Sequence, residues 1–330
     1  MNVLGLETSC DDTSAAVYNG QLLANVISTQ LVHRKFGGVV PELASRSHVR
    51  LILPVIRQAL EQAGLNRSQI NGIAVTYGPG LAGALLIGLS VAKGLAQSLN
   101  VKMIGINHLE GHIWANKLAD KNLSPPFIVL IASGGHTQLV LVQQWSQYQV
   151  LGRTVDDAAG EAFDKVGKLL EVGYPGGPFI EKLAAEGDTA YIRFPRAKLK
   201  KGPYDFSFSG LKTAVLNHVR AIGAEGVKKH LNDIAACFQQ AVIDVLIENT
   251  LSAALNSGIT RICLGGGVAV NRALQNAFEH SAQKEGLHVS WPEAALCTDN
   301  GGMIARAGYY YLNQNQSSSL RLSPVPNLNL

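Results

Sequence analysis

The chain has 330 residues, enough for about two domains at the usual ~100–200 residues each. With 47% hydrophobic and only 16% charged residues it has ample material for a core, which excludes disorder as its overall state. Its net charge of +4, from 28 basic and 24 acidic side chains, is compatible with a nucleic-acid partner but too mild to demand one.

The first predicted element is a short strand over 3–8, turned by Ser9-Cys10-Asp11-Asp12 into a returning strand over 13–18. A long helix follows over 41–63: Pro41 suits the first helical position, Glu42 suits the first turn, and Pro54 predicts a kink. A strand over 73–76 leads through Tyr77-Gly78-Pro79-Gly80 into a helix-like run over 81–99. Later, a buried-type strand over 127–132 turns at Ser133-Gly134-Gly135 into a strand over 136–142. A strand over 262–264 then leads through Gly265-Gly266-Gly267 into a helix-like run over 268–284.

A hairpin followed by strand, glycine turn and helix thus occurs twice. Such units are common in any α/β protein, but their order predicts two lobes of related topology facing each other. The lobes are placed at 1–107 and 108–330, with a C-terminal helix, about 297–315, free to pack back on the first. Residues 157–255 have no repeat counterpart and read as an insertion. It is helical around 161–170 and 227–255, with an irregular, basic stretch over 191–209 between. The tail from Ser317 reads as loosely ordered.

Cysteines at 10, 237, 263 and 297 form no C-x-x-C pair, which points to a reduced, cytoplasmic compartment. The N-terminal run lacks a basic region and is too short for a signal sequence. The longest apolar segment, 81–92, is cut by Lys93, short of the ~20 residues a membrane span requires. A soluble intracellular protein is the expectation.

Three glycine turns (Gly78/Gly80, Gly134/Gly135 and Gly265/Gly266/Gly267) present backbone N–H groups where a phosphate could bind. None matches a P-loop or a dinucleotide fingerprint, and each alone reads as a tight turn; together they point to an interlobe nucleotide site. His108 and His112 stand four apart on one helical face, where both can reach one metal ion. The alternative is a pair of unrelated surface histidines. Asp299, just ahead of a helix start, offers a third ligand, and two His with one carboxylate would suit iron(II) or zinc.

Glu7, Asp11 and Asp12 cluster in the first turn, where carboxylates can hold a metal-bound phosphate or orient a water or an amine. Asp12 on its own reads as a plain turn former. Asp156, Asp157 and Glu161 open a helix, as acidic residues do, whereas Asp164 is not explained that way. Gly173-Tyr174-Pro175-Gly176-Gly177-Pro178 is a rigid turn of the kind that walls a pocket. Two basic stretches, His33-Arg34-Lys35-Phe36 continuing to Arg46, His48 and Arg50, and Arg193 to Lys201, either grip a phosphate backbone or are solvated loops.

Five blocks carry a family likeness: Glu7-Thr8-Ser9-Cys10-Asp11-Asp12-Thr13-Ser14, Pro41-Glu42-Leu43-Ala44-Ser45-Arg46, Asn107-His108-Leu109-Glu110-Gly111-His112, Ser133-Gly134-Gly135-His136-Thr137 and Gly265-Gly266-Gly267-Val268-Ala269-Val270-Asn271. In consistent order from residue 2 to about 310, the chain resembles the tRNA N6-adenosine threonylcarbamoyltransferase family. The resemblance implies an α/β, two-lobed actin/Hsp70-like (ASKHA) fold with duplicated mixed-sheet lobes. It implies transfer of the threonylcarbamoyl group from threonylcarbamoyl-AMP to the N6 amine of the adenosine beside the tRNA anticodon, forming t6A and releasing AMP. It implies His108, His112 and Asp299 as ligands of one iron(II), or zinc, per subunit. It implies Ser133, Gly134, Gly135, His136, Thr137, Asp164, Gly177, Glu181 and Asn271 as the donor site, with Asp11 assisting catalysis. Glu181 is a point where relatives carry Asp. The implied partners are tRNA, TsaB and the ATPase TsaE, with no membrane. Two rivals remain: a metalloprotease, against which Glu110 does not directly follow His108, and a small-molecule kinase of the same fold.

Overall fold

Polar–apolar alternation fails in the first strand: β1 (Val3–Glu7) is buried at every position, as a strand covered on both faces requires. It sits at the centre of a five-stranded sheet with β2 (Asp12–Tyr18), β3 (Leu22–Thr29), β4 (Gly72–Gly78) and β5 (Lys102–Asn107), in the order β3-β2-β1-β4-β5. β1 and β3 pair antiparallel to β2, whereas β4 runs parallel to both β1 and β5. The parallel pairs need crossover helices, which α1 (Pro41–Gln62) and α2 (Ala82–Leu99) provide. Ala44, His48, Ile52, Val55, Ile56 and Ala59 of α1 follow helical spacing and face inward, and the helix continues through Pro54.

The structure, a computed structural model, describes residues 1–199 and 202–330 and divides into two units, Met1–Leu123 with Pro292–Leu330, and Ser124–Trp291. The expected boundary at 107/108 therefore moves to 123/124, and the chain returns to the first unit at Pro292. The reason is packing. α3 (His108–Ala119) is buried from His108 through Asn116 and packs on α10 (Gly301–Asn313), which itself covers the sheet. A Cβ on Gly5 would overlap the Ala305 amide and the Gly301 carbonyl, and one on Gly308 would overlap the Ala74 methyl. Small residues on both elements let α10 lie directly on the strands.

The second unit repeats the topology. β6 (Phe127–Ala132), β7 (Thr137–Gln144), β8 (Gln147–Arg153), β9 (Arg261–Gly265) and β10 (His288–Ser290) form the order β10-β9-β6-β7-β8. β6 pairs antiparallel with β7 and parallel with β9, as β1 does with β2 and β4. α8 (Arg272–Lys284) joins β9 to β10 as α2 joins β4 to β5. Where the first unit has α1, the second has α4 (Ala159–Leu169), α5 (Gly176–Ala184), α6 (Ser209–Lys229) and α7 (Leu231–Ser257). α9 (Ala294–Cys297) is a single turn leading to α10.

Three expectations change. The run over 268–284 is not one helix: a 3-10 turn over Gly267–Val270 precedes α8, because Asn271 caps the new helix, its side chain accepting from the Leu274 amide at 2.9 Å. The tail from Ser317 is not loose. Its Ser318 amide donates to the Met103 carbonyl (2.7 Å), and its Val325 amide donates to Tyr77 (2.8 Å). α2 and α7 are each long and apolar enough to cross a membrane by length and composition, since Lys93 interrupts an apolar run but not its helix. Here α2 packs on β4 and α1, and α7 packs on α5, α6 and α8.

Candidate functional site

In the first unit, Asn107 ends β5 and caps α3, its side-chain oxygen accepting from the amides of Leu109 (2.8 Å) and Glu110 (3.4 Å). His108 is thus the first helical residue and His112 lies one turn on, their rings edge to face with centroids 4.8 Å apart. Asp299 immediately precedes Asn300, which caps α10 by accepting from Met303 (3.0 Å) and donates to the carbonyls of Leu296 and Thr298 (3.1 and 2.7 Å). This fixed backbone brings Asp299 Oδ1 to 3.5 Å from His108 Nε2 and 3.3 Å from His112 Nε2. One ligand atom from each residue lies within 4.8 Å of the other two.

The donor set fits a divalent cation. Among the described residues neither ring nitrogen of buried His112 has a hydrogen-bond partner, so Nε2 faces Asp299 without the geometry to donate to it. Across the ring of His108, Nδ1 lies 3.0 Å from Glu7 Oε2 and 3.1 Å from Ser9 Oγ, which leaves Nε2 for the shared site. Glu7 is fully buried, and Thr76 donates to its Oε2 at 2.6 Å. Burial opposes ionisation of Glu7, but the charge and hydrogen bond of His108 and the Thr76 hydroxyl prevail and lower its pKa. Burial also opposes a charge on His108, yet Asp299 and Glu7 push its pKa up to about 9 without a cation.

The turn between β1 and β2 flanks this centre. His48 braces it from α1, Nε2 bonding the Cys10 carbonyl (2.9 Å) and Nδ1 bonding the Thr13 hydroxyl (2.8 Å). Asp11 is half-buried, its carbonyl accepting from Gln30. Asp12 departs from the turn-former reading. Burial, then the Asp299 charge, raise its pKa to about 7 against the Thr29 hydrogen bond, and its buried Oδ1 has no partner among the described residues. Glu110 turns to another face, accepting from Trp114 Nε1 (3.3 Å) and the Tyr311 hydroxyl, away from the position of a zinc-protease base.

The remaining candidates all lie in the second unit. Ser133 to His136 form the β6–β7 turn: Ser133 N donates to the His136 carbonyl (2.8 Å), and Ser133 Oγ accepts from His136 N (3.2 Å). Thr137 Oγ1 accepts from Ala159 N at the start of α4 (2.8 Å). Asp164 accepts from Gly176 N (2.7 Å), fixing the start of α5, and Glu181 accepts from Arg272 N at the start of α8 (2.7 Å). Asn271 also donates to Gln239 (2.7 Å).

The glycines of this region divide into two kinds. A Cβ on Gly160, Gly176 or Gly266 would overlap the backbone of Ser133, Phe163 or Ala132, so these serve close packing. A Cβ on Gly134, Gly135, Gly177 or Gly267 would face open space, so close packing does not account for these four.

The family described as TsaD, tRNA N6-adenosine threonylcarbamoyltransferase, matches residues 21–306. Proteins of that name are similar along the whole chain: 48% identical in Clostridium botulinum (strain Kyoto / Type A2), covering 100% of this chain and 98% of its own length. The Clostridioides difficile (strain 630) protein is 49% identical, covering 99% and 98%. The Symbiobacterium thermophilum protein is 50% identical, covering 99% and 96%. The chain belongs to this family.

Among solved structures, full-length HypF aligns with a TM-score of 0.64 at 15% identity, over 96% of this chain and 56% of its own. Acidaminococcus fermentans (R)-2-hydroxyglutaryl-CoA dehydratase component A aligns at 0.57 and 15%, over 95% and 98%. The threonylcarbamoyltransferase chain thus has the duplicated, mixed-sheet actin/Hsp70-like (ASKHA) fold.

The basic stretches of this family member differ from their appearance in sequence. His33 and His48 are buried, His33 bonding Gln30 and the Val40 amide. Arg196 is held by Asp244 (2.9 and 2.6 Å) and the Phe194 carbonyl (2.6 Å), and Lys198 by Glu248 (2.7 Å). Arg193 is exposed, while Lys200 and Lys201 lie outside the described residues. Sequence reasoning missed Glu7 as the partner of His108, and the buried Oδ1 of half-buried Asp12. The cluster Glu7-Asp11-Asp12 was the available signal, but what each carboxylate faces was not in it.

Proposed function

We propose that this protein transfers the threonylcarbamoyl group from threonylcarbamoyl-AMP to the N6 amine of the adenosine next to the tRNA anticodon. The reading is carried by the convergence of His108, His112 and Asp299 in a chain that belongs to the threonylcarbamoyltransferase family over its full length. The donor is a mixed carbamic–phosphoric anhydride. The N6 nitrogen bonds to the carbamoyl carbon, the bond from that carbon to the phosphate oxygen breaks, AMP leaves, and N6 loses a proton. An activated donor requires no covalent enzyme nucleophile. Adenine's amine is a weak nucleophile because its lone pair is delocalised, so positioning carries much of the barrier, for which about 7–11 kcal/mol is available.

His108 Nε2, His112 Nε2 and Asp299 would hold iron(II), or zinc, which supplies Lewis-acid stabilisation of charge developing on the carbamoyl oxygen. Open space beside Gly134, Gly135 and Gly177, with Ser133, His136 and Thr137, supports binding of the adenylate donor. Asp164, Glu181 and Asn271 hold the starts of α5 and α8 that border this region. Asp11 is assigned to orient the amine or accept its proton.

Exposed apolar side chains support a protein partner of the TsaB type, itself a two-lobed protein, alongside the ATPase TsaE. Val49 and Leu53 of α1 are each 59% exposed, at helical spacing with exposed Arg46, Arg50 and Arg57. A cytoplasmic setting is supported by a tRNA substrate and by cysteines that form no C-x-x-C pair. Reconstitution with threonylcarbamoyl-AMP, unmodified tRNA and the partner proteins, followed by mass spectrometry of the nucleosides, tests the reading. t6A and AMP in equal amounts are expected; unmodified adenosine throughout would overturn it.

A further inference from the structure

The C-terminal segment holds none of the candidate site residues, yet it is tied into the first unit at several points. Ser318 Oγ accepts from Gly105 N (3.0 Å), and the Pro326 carbonyl accepts from Gly80 N (3.0 Å). The Asn329 carbonyl accepts from Asn107 Nδ2 (3.0 Å). The sheet is shaped to receive it: a Cβ on Gly78 would overlap the Val325 carbonyl, and one on Gly105 would overlap the Leu322 side chain. Leu322 also joins the apolar core of this unit.

Two of these contacts lead to the same imidazole by separate routes. Through the first, Asn329 holds the side chain of Asn107, the cap from which α3 presents His108. Through the second, Pro326 holds Gly80. A Cβ on Gly80 would overlap Ser9, and the neighbouring Leu81 amide donates to the Ser9 carbonyl (2.8 Å). Ser9 Oγ in turn lies 3.1 Å from His108 Nδ1. One route fixes where the His108 backbone starts, and the other holds a partner of its ring.

We propose that residues 325–329 act as a latch that positions His108, so that cation affinity of the His108, His112 and Asp299 site depends on the docked C-terminal segment. This rests on the reading of those three residues as a cation site. Asn107, Gly80 and the segment are positioning residues and touch no reacting atom.

The test is Co2+ titration of the metal-stripped full-length protein, followed by the visible absorption of bound cobalt, with thermal unfolding in parallel. Asn107→Ser keeps a capping oxygen for α3 but cannot reach Asn329. A chain truncated after Ser323 removes both routes. Expected are a several-fold rise in the dissociation constant for Asn107→Ser and roughly a tenfold rise for the truncated chain, the lower end for outer partners of metal ligands. Both should show an altered cobalt spectrum. Wild-type affinity and spectrum in Asn107→Ser, whatever its melting temperature, would overturn the latch; this variant decides alone if the truncated chain fails to fold. His108→Ala separates the two ideas. If it binds Co2+ as the wild type does, the cation site itself is wrong and the latch falls with it.

Discussion

Glu7 leaves the His108 ring little freedom. Its Oε2 takes both the imidazole and the Thr76 hydroxyl, while its Oε1 accepts from the Ser9 amide. Glu7→Ala would strand a buried donor, costing about 1–3 kcal/mol of stability, and should weaken metal binding about 10–100-fold. Urea unfolding and metal titration measure the two effects separately; unchanged affinity would remove Glu7 from the site. His108→Ala should strip the metal and abolish t6A formation, checked by metal content and nucleoside analysis. The two histidines are legible in sequence because a four-residue spacing fixes a shared helical face, and Asp299 because it precedes a helix start. Glu7 is not, since it meets His108 across 101 residues of chain. Asp12 is misread for a related reason: an aspartate in a turn looks the same whether its carboxylate meets water or is buried near Asp299.

At the scale of elements, the contact of α10 with β1 rests on glycines at which a side chain would meet backbone. Gly5→Val should therefore cost at least about 1–3 kcal/mol, the usual range for an overpacked core, because backbone cannot yield as side chains do. A urea midpoint equal to that of the wild type would contradict this packing.

In the second unit, Asp156 ties β8 to α6. Its carboxylate accepts from Ser207 Oγ and Ser209 Oγ (both 2.6 Å) and from Phe208 N (2.8 Å). Burial pushes its pKa up, but these hydrogen bonds hold it below the usual value. A depressed carboxylate contributes stability that is complete above the unfolded pKa of ~3.9 and is lost as pH falls through the folded value. The stability gap between wild type and Asp156→Ala should be full at neutral pH and shrink below about pH 4. A gap independent of pH would show that the carboxylate charge is not what ties these elements.

Strands and helices that carry a sustained apolar run, such as β6 and α2, are legible in the chain. The docked tail is not: Ser317-Ser318-Ser319 and the prolines at 324 and 326 carry no period, and its partners are groups in and just beyond β4 and β5.

For the whole molecule, the repeated strand order is the main feature that sequence alone conveyed, because each unit carries the same hairpin and the same glycine turn. What separates the units is the connection after the third strand, which among the described residues holds a single α-helix in one and four in the other. That four-helix stretch also holds the denser basic run, whose charges are partly satisfied: Arg196 by Asp244 and Lys198 by Glu248. If the run contacts tRNA, Arg193→Glu should produce most of the loss of affinity seen on reversing Arg193, Arg196 and Lys198 together, and more at low salt than at high. Equal affinity at low salt in filter binding would take this stretch off the RNA surface.

The return of the chain to its first unit has a consequence for synthesis on the ribosome. Residues 124–291 are continuous and can close as soon as they emerge, whereas the sheet begun at Val3 has no cover on one face until α10, some 300 residues later, has been made. At about 5–20 residues per second that delay is roughly 15–60 s. For that time the half of the protein translated first is the half that waits, with apolar strands open to whatever chaperone or neighbouring chain reaches them before its own helix does.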